Sequence, residues 1–232
     1  MTAIAPNSLD HVALWVGDRD TLARFTVDHL GMHVIEQTDR FTLVGADARR
    51  GKLTLFEADG PREPGPLERV VLRVGDLDAA VAALPAGLDV QRENGVAAFD
   101  APEGLGVGLV AADGRSGPDY DLDHVVLRVP EPDRTAGELV QFGFERRDDG
   151  RLSIADKDVR LERGDAEAGD SPLLNHIAVL VDSAEEVRDE AERRGIEVAD
   201  YVDAPNTLAV FLWGPDRIKL EYVEHKPGFS LT

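Results

Sequence analysis

One phrase occurs four times in this chain, and no other feature limits its fold as much. It is a Leu, one or two polar residues, then a run of β-branched and aliphatic residues. The copies begin at Leu9-Asp10-His11-Val12, Leu67-Glu68-Arg69-Val70, Leu122-Asp123-His124-Val125 and Leu174-Asn175-His176-Ile177. Their third positions, 11, 69, 124 and 176, are 58, 55 and 52 residues apart. Short apolar runs of this kind, bounded by turn residues, read as buried strands. A period near 55 residues means that one supersecondary unit is repeated.

The segment after each phrase repeats as well. A turn with Asp, Glu or Pro leads into a helical stretch: Asp18 to Leu30 in the first copy, Asp182 to Arg194 in the last. Ser183 and Glu186 are spaced for a capping box. Each helix should stop near a glycine, at Gly31, Gly87, Gly143 and Gly195, because glycine takes the left-handed conformation that ends helices. Strands are expected next at Met32–Ile35, Leu88–Val90, Phe144–Arg146 and Ile196–Val198, with two more completing each copy. The unit is therefore β-α-β-β-β, an α+β class. The modules divide at 1–60, 61–113, 114–170 and 171–232, with Pro- and Gly-bearing linkers between them. Copies 1 and 3 share Leu-Asp-His, while copies 2 and 4 share a Pro-acid step, Pro102-Glu103 and Pro215-Asp216. That alternation suggests that a two-module half was itself duplicated.

Side chains on a strand alternate faces, so a His third in the first strand and a Glu near the end of the last can share one face of a sheet. The pairs are His11 with Glu57, His124 with Glu162 and His176 with Glu221. Copy 2 breaks the pattern with Arg69, and with Gly108 or Ala111 in place of a Glu. A lone His on a buried strand is usually a packed core residue. Three recurring His–Glu pairs are better explained by metal ligation, since packing does not require the two to recur together. The chain has no cysteine. A metal site must then use imidazole and carboxylate, which suits Fe(II), Mn, Zn, Ni or Co. Two modules together would supply two His and two Glu and leave coordination positions open for a small-molecule substrate.

Other patterns carry less. His29 and His33 flank Gly31, which should end the helix between them, and the glycines at 104, 106 and 108 lead into a strand rather than a helix. A formal net charge of −20 repels phosphate backbones, which argues against nucleic-acid binding. No apolar run approaches the roughly 20 residues of a membrane span, and the N-terminus lacks the features of a secretory signal, so the expected location is the cytoplasm. Assembly into a homo-oligomer is left open.

From Leu9 to about Glu224 the chain resembles the vicinal oxygen chelate superfamily, which includes glyoxalase I, extradiol dioxygenases and bleomycin resistance proteins. The resemblance implies that modules pair into two open, cupped, eight-stranded sheets with helices outside. Four-module chains resemble the extradiol dioxygenases most. On that likeness modules 1 and 2 (1–113) form a metal-free half, and modules 3 and 4 (114–232) bind Fe(II) or Mn(II) through His124, His176 and Glu221. Arg69 can then pair with Glu57 across the empty cup. Keeping Glu162 as a fourth ligand favours instead a two-His, two-Glu site similar to glyoxalase- or epimerase-like members, with Glu162 as the candidate catalytic base. A second arrangement, seen in some glyoxalases, joins module 1 to module 4 and builds the site from His11, Glu57, His176 and Glu221. It implies a lyase or isomerase with a two-His, two-Glu centre. A third implied role is non-catalytic binding of a small molecule. The dioxygenase pattern also calls for a His outside the ligand set and a Tyr before the Glu of module 4, and for a His base near the end of module 3, where Glu162 sits. No His lies between His176 and Glu221 here, and the Tyr position falls near Phe211.

Overall fold

The computed structural model describes residues 4–114, 117–165 and 172–229. Part of the third linker, residues 166–171, lies outside these. Module 1 consists of β1 (Ser8–Val16), α1 (Arg19–His29), β2 (His33–Gln37), β3 (Phe41–Gly45) and β4 (Lys52–Glu57). Module 2 has β5 (Leu67–Val74), α2 (Leu77–Ala82), β6 (Gln91–Glu93), β7 (Val96–Asp100) and β8 (Gly106–Ala111). Module 3 has β9 (Asp121–Val129), α3 (Pro132–Leu139), β10 (Glu145–Arg146), β11 (Leu152–Ile154) and β12 (Lys157–Arg163). Module 4 has β13 (Leu174–Leu180), α4 (Ala184–Arg194), β14 (Val198–Asp203), β15 (Thr207–Trp213) and β16 (Lys219–His225). The β-α-β-β-β unit thus occurs four times. The expected strand at 88–90 is instead a loop, turned by the Leu88 amide donating to the Pro85 carbonyl at 3.1 Å. Pro85 and Gly87 break the chain there, and pairing begins at Gln91.

Local signals set the helix ends. The Asp18 carboxylate accepts from the Thr21 amide at 2.9 Å and caps α1, and the Ser183 hydroxyl accepts from the Glu186 amide at 3.2 Å and caps α4. Gly195 closes α4 at φ +70°, where a side chain would be strained.

The sixteen strands form two open mixed sheets. One runs β14-β15-β16-β13-β1-β4-β3-β2, and the other β10-β11-β12-β9-β5-β8-β7-β6. Module 1 therefore pairs with module 4, and module 2 with module 3. The expected pairing of 1 with 2 and 3 with 4 is corrected. At both seams the first strands of two modules meet antiparallel, β1 on β13 and β5 on β9. These four strands carry the same repeated phrase, so the phrase by itself does not choose among partners.

Alternation gives each central strand two faces. Val12, Leu14, Val16, Ile177 and Val179 enter one apolar core that extends across both sheets and beneath the helices, where Leu22, Leu139 and Val187 join it. Each fully buried aliphatic side chain of this kind stabilises the fold by about 1.5–3 kcal/mol. His11, Ala13, Trp15, His176 and Ala178 lie on the opposite face, called here the cup.

Polar contacts tie the modules in a second direction. Glu103 accepts from the Gly17 amide, just before α1, at 2.6 Å. Asp216 accepts from Arg134 at 2.5 Å and also from the Thr135 hydroxyl, both on α3. The Pro-acid step of each even module thus binds the helix region of the odd module before it, which explains why copies 2 and 4 alone carry it. Between the sheets, buried Asp121 accepts from the Gly51 amide at 3.0 Å, Arg73 at 2.8 Å and Lys157 at 2.9 Å. Lys157 also donates to the Leu9 carbonyl at 3.2 Å. Burial opposes the charge on Asp121, but Lys157 and Arg73 outweigh it and hold its pKa below the ordinary carboxylate value.

Candidate metal centre

The site lies where β1, β13 and β16 meet. In the β1–β13 ladder His11 stands opposite Ala178, and Ala13 opposite His176. Each imidazole faces an alanine, so both rings can lean toward the seam. Glu221 stands opposite Ala178 on β16, with Phe211 of β15 on its other side. His11 Nε2 is 3.3 Å from His176 Nε2 and 3.2 Å from Glu221 Oε2. His176 Nε2 is 2.7 Å from Glu221 Oε2. Among the described residues this is the group of three His, Asp or Glu side chains whose donor atoms converge, all within 4.8 Å of one another.

Neighbouring residues fix how the rings point. Asp10 Oδ1 lies 2.7 Å from His11 Nδ1, and Asn175 Oδ1 lies 3.1 Å from His176 Nδ1. Both oxygens accept from Nδ1–H, which leaves each Nε2 to face the centre. Asp10 is itself buried, held by Lys52 Nζ at 2.7 Å and by His225 Nε2 at 3.4 Å. His225 stacks on Phe229 with ring centroids 3.9 Å apart.

Burial disfavours a charged His11, but Glu221 and Asp10 overcome this and raise its pKa to about 9. Burial dominates at His176 and lowers its pKa. Burial also resists ionisation of Glu221, and the two histidines reverse that, holding its pKa well below the carboxylate range. Without metal, a proton on His11 thus does part of a cation's work beside Glu221. Two imidazole nitrogens and one carboxylate oxygen suit a borderline or hard divalent metal. The donor set fits the metal that the sequence implies.

Half-buried aromatic residues wall the cup. Trp15 and Phe56 have ring centroids 5.3 Å apart, Phe41 and Phe56 5.9 Å, and Phe211 packs edge-on to His176 at 5.1 Å. Lys219 Nζ lies 5.9 Å from the Phe211 centroid and 5.6 Å from that of Trp213. Burial lowers the Lys219 pKa.

Three expected ligands lie elsewhere, for reasons of register. His11 is level with Lys52 in the β1–β4 ladder, and Ala13 with Thr54. In the β13–β16 ladder the residue two beyond His176, Ala178, is level with Glu221. Thr54 thus holds the position of Glu221, while Glu57 sits opposite Val16, exposed and directed away from the cup. His124 lies on β9 in the other sheet, with its Nδ1 bonded to Asp123 at 2.7 Å. Glu162 is exposed opposite Arg128, four residues, or about 13 Å, along the strand from the His124 level. Arg160 takes the corresponding Glu position there, opposite Val126. Arg69 faces Glu68 at 3.6 Å and does not meet Glu57, which belongs to the first sheet. Strand ends differ in length among the modules, so counting to the last Glu misaligns them by two or three residues. Asp10 was legible in the shared Leu-Asp-His phrase; Lys52 and His225 left no such trace.

Two module pairs, with a two-His, one-Glu cluster on the face of one sheet, have the fold arrangement of the vicinal oxygen chelate type. Residues 8–101 match the family model of the Glyoxalase/Bleomycin resistance protein/Dioxygenase superfamily. The fold is shared over nearly its whole length with a Bacillus subtilis subsp. subtilis str. 168 protein described as "putative dioxygenase". That pair is 19% identical, covers 97% of this chain and 87% of the other, and has a TM-score of 0.78. Glyoxalase I from Zea mays is 18% identical over 94% of this chain and 92% of its own, with a TM-score of 0.71. The cppA protein of Streptococcus pneumoniae TIGR4 is 15% identical over 94% and 98%, at 0.61. No curated protein matches the sequence. Among the described residues no helix is long and apolar enough to cross a membrane.

Proposed function

We propose that the chain is a metal-dependent enzyme that binds a small molecule through vicinal oxygens at His11, His176 and Glu221, in the manner of an extradiol dioxygenase, with Fe(II) or Mn(II). The observation that carries this reading is the ligand count. Two histidines and one carboxylate converge, and the fourth position holds Thr54 rather than a second Glu. Such a set leaves enough open positions for a bidentate substrate and a further small ligand. A metal held by His11, His176 and Glu221 would supply Lewis acidity toward the substrate oxygens.

The protein's own residues do the rest. Asp10 and Asn175 orient the imidazoles. Trp15, Phe41, Phe56 and Phe211 offer flat apolar surface for an aromatic ring and restrict water. Lys219, beside Phe211, is placed to hold a negative substrate oxygen. The test is oxygen uptake by Fe(II)-loaded protein given catechol. Uptake matched to catechol loss, and absent in Glu221→Gln, supports the reading; none with catechol or substituted catechols sinks it.

A glyoxalase-like isomerase is the second reading. It is supported by the pairing of module 1 with module 4 and by the overlay on the maize glyoxalase I fold. Proton exchange next to a substrate carbonyl, dependent on metal and independent of oxygen, would select it.

A further inference from the structure

The second sheet keeps the frame of the first and reverses its charge. The cup positions held by His11, Thr54, His176 and Glu221 in one sheet are held by Arg69, Gly108, His124 and Arg160 in the other. The seam is the same, with Arg69 opposite Val126 and Val71 opposite His124. Gly108 is part of the exchange. A Cβ there would stand 3.0 Å from Arg69 Cδ, so the missing side chain leaves the room in which Arg69 lies.

The nearby carboxylates are already engaged. Asp158 pairs with Arg151 at 2.9 Å, Asp123 holds the His124 ring, and Glu68 pairs with Arg128 at 2.7 Å and Arg69 at 3.6 Å. Glu162 stands at the exposed rim. Arg160 has no ion pair among the described residues, and its Nε is buried without a hydrogen-bond partner. A buried donor on a permanently charged, planar group is costly to leave unmet, and a carboxylate or phosphate is the partner that fits its fork. In a chain of net charge −20 this is a local exception that diffuse surface charge does not explain.

We propose that this second cup is a binding site for a small molecule bearing a carboxylate or phosphate group, held by Arg160 and Arg69 beside His124. The site is separate from the metal centre and does not depend on what reaction occurs there.

Calorimetric titration of the purified full chain with inorganic phosphate and, separately, with succinate, at constant ionic strength, tests this. The same titrations on the His11→Ala/His176→Ala double variant exclude phosphate held by metal in the first cup. Saturable binding of at least one anion is expected in both proteins. It should weaken about tenfold to a hundredfold in Arg160→Met, and also in Arg69→Gln. Near-UV circular dichroism shows whether each variant is folded, and Arg69→Gln decides if Arg160→Met is not. No saturable binding of either anion overturns the proposal. So does binding unchanged by a folded Arg variant, or binding lost only when the first cup is altered. Which anion binds tells carboxylate from phosphate.

Discussion

Thr54 on β4 occupies the register position that Glu221 holds on β16, two residues beyond the level of the cup histidine in each ladder. That one difference separates a three-ligand centre from a four-ligand one. Thr54→Glu brings a carboxylate to the vacant corner. Metal should stay bound and any oxygen uptake with catechol should fall at least about tenfold, because an open coordination position is filled. Metal analysis and an oxygen electrode on the same preparation check both halves.

The ligand set makes a direct prediction about metal content. His11→Ala, His176→Ala and Glu221→Gln should each lower the metal bound per chain to near background. His124→Ala should leave it unchanged, since His124 belongs to the other sheet. Elemental analysis of protein purified without chelator distinguishes these outcomes. Metal lost with His124 and kept without His11 would refute the site as drawn.

Asp10 bonds the Nδ1 of His11, so it would act on a metal held there through that ring. Asp10→Asn keeps a hydrogen-bond acceptor for Nδ1–H but removes the negative charge that makes the imidazole a stronger donor. Metal affinity should fall about 10- to 100-fold, as for other outer partners of ligating histidines, with the fold intact by circular dichroism. Competition with a chromogenic chelator measures the shift.

Asp121 joins the two sheets, and its pKa gives the pH dependence a sign. The folded value lies below the ordinary one, so its stabilising contribution is complete above the unfolded carboxylate range and is lost as pH falls toward the depressed value. Asp121→Asn leaves Arg73 and Lys157 buried with less compensation and should cost about 3–5 kcal/mol at neutral pH. The gap from wild type should narrow on acidification. Urea melts at pH 7 and pH 3, the latter below the ordinary carboxylate value, report both, and a constant gap would mean that the charge of Asp121 is not what binds the sheets.

Much of this protein could be read from residues in order. The repeat, the unit, the capping residues Asp18 and Ser183, and the histidines at 11 and 176 are local patterns, and local patterns follow from propensity and alternation. The odd–even alternation of Leu-Asp-His and Pro-acid steps was visible too. Its meaning was not, because Glu103 and Asp216 act on helices of another module.

The repeated phrase by itself determined four equivalent strands and, in three of them, a potential ligand at His11, His124 and His176. Which strand lies beside which was decided only in three dimensions. All four first strands present similar apolar faces, and their pairing, β1 with β13 and β5 with β9, joins segments far apart in the chain. Register was decided there as well. His11 and His176, 165 residues apart, meet at one corner of the cup, while Glu57 and Glu162 fall away from it. A strand's face and level are fixed by its hydrogen-bonded neighbour, not by its distance along the chain.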